Sequence, residues 1–336
     1  MKKSLLALAV LGAFAGAASA QSSVTIYGLL DLAISKGNGG TSGAGASADV
    51  MAGGNGLSKA YLERQSASSR LGFRGTEDLG GGLSAQFQIE HRFTPDDGGA
   101  ATPFWAGRSY VQITSAPVGS LYMGREYTPA FWPAVKTDPF GWDGVGQVGF
   151  AQYARFRSAS SAIRTANTVG FRSASFGGLT VQGAVGLGEA VNGRDVGGNV
   201  EYSGGPIYFG LGIEKISNGP VAQAGNQIIN VGGAYDLGFI RPALYFASTK
   251  TGVGSTAKNK DIMFALTAPI GAGKLKFAIS RMDPQGATNN ETHIGIGYDY
   301  ALSKRTGVYV DFGQGKSQVA GLTVNRAAAV GMKHTF

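Results

Sequence analysis

The chain has 336 residues, no cysteine, 55 glycines and a formal charge of +8. The lack of cysteine excludes a disulfide framework and thiolate chemistry, and the glycines keep no three-residue, collagen-like period. Beyond the N-terminus no stretch is long and apolar enough to cross a bilayer as a helix.

Met1-Lys2-Lys3, the apolar run Leu5–Phe14 and Ala18-Ser19-Ala20 together predict a secretory signal peptide over 1–20, cleaved to leave Gln21 at the start of a mature unit over 21–336. From there the chain reads as strands, because apolar residues recur every second position. Val24, Ile26, Leu30 and Leu32 share one face; Leu83, Ala85, Phe87 and Ile89 alternate with Ser84, Gln86, Gln88 and Glu90. The same rhythm returns at Ile207–Ile213, Leu275–Ile279, Ile294–Tyr300 and Val308–Phe312.

The connections alternate between short and long. Short, glycine-rich turns are predicted at 76–82, 116–119, 174–178, 203–206, 236–239, 269–273 and 302–305. Long ones fall near 36–57, 93–106, 126–163, 188–198, 216–226, 250–260, 284–290 and 313–322. Fifteen connections imply sixteen strands. Alternating strands, one set of short turns and one of long loops describe an all-β, 16-stranded antiparallel transmembrane β-barrel of the outer membrane, closed by pairing the first strand with the last. A soluble sandwich or hairpin array fits less well, since an apolar face persists in nearly every strand. Aromatics near strand ends (Tyr27, Phe93, Tyr122, Phe171, Tyr202, Tyr298) are expected to form interfacial girdles.

The stretch 126–163 breaks the rhythm. It carries Pro129, Pro133 and Pro139 and the aromatics Phe131, Trp132, Phe140, Trp142, Phe150, Tyr153 and Phe156. A loop so long is usually functional or disordered, and its aromatics argue for packing. It is expected to fold inward and narrow the barrel.

Period-two geometry assigns the lumen face. With Leu71 and Phe73 outward, Arg70 and Arg74 point in; by the same rule Arg108, Tyr110, Gln112, Arg164, Thr168, Arg172, Glu90, Arg92, Arg241 and Lys276 are inward. Arg125 shares the parity of Leu121 and Met123, which suits an anchor at the loop base. Rings of arginine favour anions, and inward arginines are expected to outnumber inward acids such as Glu90, Asp299 and Asp311.

Several stretches, QSSVTIYGLLDLA (21–33), SSRLGFRGTEDLGGGL (68–83), YMGREYTP (122–129), LSKRT (302–306) and the ending VGMKHTF (330–336), resemble the general porins of Gram-negative β-proteobacteria. The resemblance spans the mature chain. It implies homotrimers of sixteen-stranded barrels in outer-membrane lipid, each with a water-filled pore and a third long loop folded in as a constriction. It also implies a constriction with Arg70, Arg108 and Arg164 as its basic side and Glu90 and Asp138 as its acidic side. Phe336, on one face with Val330, Met332 and His334, is implied to be the signal read by the outer-membrane assembly machinery.

Other motifs are weaker. Gly144–Gly149 spells GxGxxG, but no strand precedes it and no helix follows, so it reads as a bend. His91, His293 and His334 lack metal-ligand spacing, and no cofactor or metal is expected. An enzyme is disfavoured because no nucleophile motif accompanies the histidines, and nucleic acid because no aromatic–basic motif accompanies the charge. The expected function is passive diffusion of ions and small hydrophilic solutes with anion preference. The alternative is a channel binding an organic anion or sugar on the loop aromatics.

Overall fold

The computed structural model describes residues 23–40, 59–149, 163–189, 193–217, 225–250, 252, 258–284 and 290–336. The expected signal peptide, and Phe150, Tyr153 and Phe156 of the long loop, lie outside the described residues. In chain order the elements are β1 (Ser23–Gly37), β2 (Tyr61–Arg64), β3 (Ser69–Gly80), β4 (Leu83–Thr94), β5 (Gly99–Ala100), β6 (Ser109–Ser115), β7 (Gly119–Tyr127), α1 (Phe131–Val135), β8 (Arg164–Ser173) and β9 (Leu179–Gly186). There follow β10 (Arg194–Gly204), β11 (Ile207–Ser217), β12 (Gln227–Tyr235), β13 (Arg241–Lys250), β14 (Lys258–Ile270), β15 (Gly273–Pro284), β16 (Glu291–Ala301), β17 (Thr306–Ser317) and β18 (Asn325–Thr335).

Each long strand pairs antiparallel with its neighbours, and β18 pairs back onto β1, so sixteen strands close a barrel. At the seam Gly28 N–H donates to Phe336 O at 3.1 Å and Phe336 N–H to Gly28 O at 3.2 Å. Closure leaves no free edge, which the hydrocarbon demands. The short β2 and β5 are additions: β2 pairs the far half of β1 (Ala33 opposite Arg64) after β3 has paired the near half (Leu29 opposite Arg70). Asp31 sits at that change of partner, where its carboxylate accepts the Ser66 N–H at 2.9 Å.

The two faces differ as the alternation requires. Val24, Ile26, Val111, Ile113, Leu121, Met123, Ile213, Ile262 and Val330 are all more than half exposed or nearly so on the outside, a continuous apolar surface that only lipid or another subunit covers. An outer aromatic band exists at the short-turn end, with Phe171, Phe209, Tyr235 and Tyr300 exposed. Tyr27 and Tyr122, expected in that band, are inside instead. Both have the parity opposite to the aliphatics beside them, and Tyr122 is fully buried in the lumen wall.

The long third connection folds into the barrel. Strand structure continues through Glu126 and Tyr127 before it begins. The short helix α1 and the bend after it bury Phe131, Phe140, Trp142 and Val148 against Tyr208, Ile228, Tyr245 and Met263 of the inner wall. Burying side chains of this size stabilises by about 1.5–3 kcal/mol each. Polar contacts set the register: Asn199 Nδ2 donates to Pro129 O and Asn230 Nδ2 to Ala130 O, both at 2.8 Å, and Ser280 Oγ donates to Val148 O at 3.2 Å.

Candidate pore constriction

The loop leaves one wall of the lumen uncovered, and that wall carries the arginines. On β3 and β4, Glu90 is nearly fully buried and collects three donors. Arg92 Nη2 lies 2.6 Å from it, Tyr27 Oη donates at 3.1 Å, and Arg70 Nε approaches to 3.9 Å. On β7, Glu126 is fully buried and bridges two strands. Arg108 Nε donates to it at 2.9 Å, and Arg172 Nη2 lies 2.6 Å away. A buried carboxylate between two guanidinium groups is a strong positioning device, because neither charge can leave without stranding the other.

Tyrosines hold the same arginines from behind. Arg74 lies over Tyr27 at 5.3 Å, Arg108 over Tyr110 at 5.0 Å, Arg172 over Tyr122 at 4.2 Å and Arg164 over Tyr127 at 4.1 Å. Cation–π stacking fixes the plane of each guanidinium. Arg164 also donates from Nη2 to the Tyr127 hydroxyl. Accessibility differs along the wall: Arg74 is exposed, Arg70 keeps about a third of its side chain open, and Arg164 is buried. Arg164 is therefore largely closed off from the lumen, whereas Arg70 and Arg74 are open to it.

Asp138 has a different setting from Glu90 and Glu126. Its carboxylate accepts the backbone N–H of Phe140 at 2.9 Å and of Gly149 at 3.1 Å, pinning the loop to itself. Burial pushes this carboxyl up to about 6. Asp143 is the loop carboxylate that feels Arg70 and Arg92; burial pushes it up to about 7 against their opposing pull. Arg125 donates from Nε to Ala106 O at 3.1 Å and ties the end of β7 to the approach to β6.

The wall on the other side of β1, formed by β15–β18, is mixed in sign. Lys276 pairs with Asp299 at 2.7 Å and Asp311 at 3.0 Å, and Lys333 with Asp299 at 3.5 Å. With Asp31, Asp138, Asp143 and Tyr309 they line a cavity of about 330 Å³. Inward carboxylates are more numerous than Glu90, Asp299 and Asp311, since Asp195, Glu201, Glu214, Asp261 and Glu291 are also buried on the inner face. A simple excess of inward arginine over acid is thus not what the lumen holds. The charge is segregated: Arg70, Arg74, Arg92, Arg108, Arg164 and Arg172 share their wall with two glutamates, and most other inward acids lie elsewhere.

The sequence reading missed Glu126 and Tyr127 because it began the long loop at 126, whereas β7 runs on through Tyr127; Glu126 keeps the inward parity of Tyr122, and only Tyr127 departs from it, just beyond a register shift between Gly124 and Glu126. YMGREYTP was the stretch that carried both.

A family model for Gram-negative porins matches residues 7–319. The chain belongs to the Gram-negative porin family. Outer membrane porin protein 32 of Delftia acidovorans is 34% identical over 325 residues, covering 92% of this chain and 88% of that one. An outer membrane porin of Bordetella pertussis is 30% identical over 391 residues, covering the whole of both chains. Among solved structures, an anion-selective porin from Comamonas acidovorans superposes with a TM-score of 0.78 at 26% identity, over 94% of this chain and all of that one. This porin is accordingly an outer-membrane channel for passive diffusion, and not an enzyme.

Proposed function

We propose that this porin prefers anions, and that the preference arises at the arginine wall. The observation that carries this reading is the gathering of six inward arginines around the buried Glu90 and Glu126 on β3–β8, where tyrosine rings and these two glutamates hold the cations in fixed positions. A confined, low-dielectric passage focuses such a field and raises the local concentration of the opposite ion. Arg70, Arg74, Arg108, Arg164 and Arg172 form the basic side. Glu90 serves as their counter-ion, and Asp138 supports the constriction by keeping the loop in shape.

Reversal potential in a planar bilayer under a KCl gradient tests this. Wild type is expected to be anion-selective, and Arg70→Ala combined with Arg164→Ala to shift the potential toward zero. Cation selectivity in the wild type, or an unmoved potential in the double variant, overturns the assignment.

A homotrimer is the second part of the proposal. Gly75 and Ala85 leave a hollow of about 360 Å³ on the outer face, rimmed by Val24, Phe87, Val111, Ile113, Leu121 and Met123, and a subunit's aliphatic side chains would fill it. A monomer mass for the native, unheated protein would contradict this. Phe336, whose ring lies over Gly28 on the outer face, is proposed as the element that the assembly machinery recognises; Phe336→Ala is expected to lower the yield of inserted barrel.

One cavity favours a narrower substrate range. Trp132 and Lys136 of the loop face Arg108 and Arg172 across a space of about 300 Å³, where an aromatic ring and a carboxylate would both find partners. Saturable block of conductance by an aromatic carboxylate would support this alternative.

A further inference from the structure

The cavity of about 330 Å³ between the constriction loop and β15–β18 lies away from the arginine wall and carries charges of both signs. Lys274 is the second residue of β15, and Asp299 and Lys333 stand two residues before the ends of β16 and β18. One side of the cavity is therefore close to the short turns. The other side is the loop itself, through Asp138, Phe140 and Asp143.

Most of these charges have partners within the protein. Asp31 accepts the Ser66 N–H at 2.9 Å and the Tyr309 hydroxyl at 2.6 Å. Asp138 accepts two backbone N–H groups of its own loop. Asp299 and Asp311 share Lys276, and Asp299 also draws Lys333 to 3.5 Å. Two groups are left over. Lys274 is directly opposite Asp299 across β15 and β16, but that carboxylate is engaged by the other two lysines. Among the described residues no carboxylate lies within ion-pair distance of Lys274. Asp143, half-buried on the loop, likewise has neither a side-chain hydrogen bond nor an ion pair among the described residues. Arg70, Arg92 and Lys333 act on it only from a distance, and burial outweighs their pull, which pushes this carboxyl up to about 7. Arg92 is held by Glu90 instead, at 2.6 Å.

An unpaired carboxylate and an unpaired ammonium facing one cavity complement a molecule that bears both charges. We propose that this cavity is a binding subsite for small zwitterions, α-amino acids in particular, with the ligand's ammonium at Asp143 and its carboxylate at Lys274. A group that folding has already partly desolvated without a partner gains most from a ligand that supplies one. A simple anion would gain Lys274 but meet the carboxylates of the lining, and a simple cation would gain Asp143 but meet the lysines. Pro139 and Phe140 line the same cavity and offer apolar surface to the ligand's side chain. The subsite is separate from the arginine wall and does not rest on the anion preference proposed above.

The test is saturable reduction of the single-channel conductance of the whole porin by L-glutamine, on the alkaline side of the Asp143 transition, beside two analogues. Glutaramate is glutamine without its ammonium, and 4-aminobutanamide is glutamine without its carboxylate. In the wild type the half-saturating concentration is expected to be at least about tenfold lower for glutamine than for either analogue. Asp143→Asn is expected to erase the difference between glutamine and glutaramate, because the ammonium then has no counter-charge, and to keep the difference from 4-aminobutanamide. Lys274→Gln is expected to do the converse. A general change of pore shape would instead move all three probes together, and that result overturns the assignment. Absence of saturable reduction by glutamine, or equal reduction by either analogue in the wild type, overturns the proposal even if neither variant inserts. An advantage of the ammonium that survives intact in Asp143→Asn overturns it as well.

Discussion

Glu126 shows how much one side chain sets in this lumen. It is fully buried, yet it bears the charge that holds Arg108 and Arg172 in place from two different strands. Glu126→Gln keeps the shape and removes the charge. Breaking a buried ion pair by neutralising one partner costs about 3–5 kcal/mol, and the partial exposure of both arginines makes the lower end the expected loss. The variant should melt at a lower temperature and yet be more anion-selective, since two cations lose their counter-ion. A thermal melt together with a reversal potential checks both signs; an unchanged potential would show that the pair is electrically silent. At this scale the sequence was informative wherever strands stay regular. Arg70 and Arg74 follow the parity of Leu71 and Phe73 without exception. Parity was uninformative beside the register shift of β7 and near Asn167 of β8, whose φ of +54° departs from extended backbone. There Arg164 and Thr165 both engage inward partners, Tyr127 and Asp195.

The constriction loop depends on the wall strands as much as on its own aromatics. Its position was legible from broken rhythm and proline content, because a stretch without a period of two cannot join a sheet. Its docking was not legible, since it uses absences in the wall. A Cβ at Gly295 would lie 1.7 Å from Gly146 O, and one at Gly313 would lie 1.6 Å from Val145 O. These wall glycines are seats for the loop backbone, and in sequence they look like any other glycine in a strand. Gly313→Ala should therefore push the loop off its wall, at an overpacking cost of about 1–3 kcal/mol. The barrel does not need this contact, so assembly should be preserved. The expected result is a larger and noisier single-channel conductance with an unaltered barrel melt. Conductance equal to wild type would mean that the loop shifts without widening the passage.

At the scale of the whole molecule, charge rather than topology distinguishes the surfaces of the barrel. Arginines share the wall left open by the loop, and most other inward carboxylates collect on the inner face elsewhere. The topology was fully legible, because each of the sixteen strands had to alternate; the distribution of charge was not, because it depends on which strands meet across the lumen. That distribution makes selectivity depend on pH. Asp138 and Asp143 in the loop are raised to about 6 and about 7 by burial, so their charged forms are disfavoured in the docked loop. Their contribution to docking is fully present below about 4, the ordinary carboxyl value, and is lost as pH rises through 6 and 7. The same protonation changes permeation. Between pH 8 and pH 5 both acids become neutral, the lumen gains positive charge, and the ratio of anion to cation permeability should rise. Asp143 faces Arg70, Arg92, Asp31 and Lys333, so its neutralisation acts next to the arginine wall. Asp143→Asn tests this. If Asp143 carries the effect, the variant should match the low-pH wild type at every pH and lose most of the slope between pH 8 and pH 5. A slope retained in full would show that Asp143 does not carry the effect.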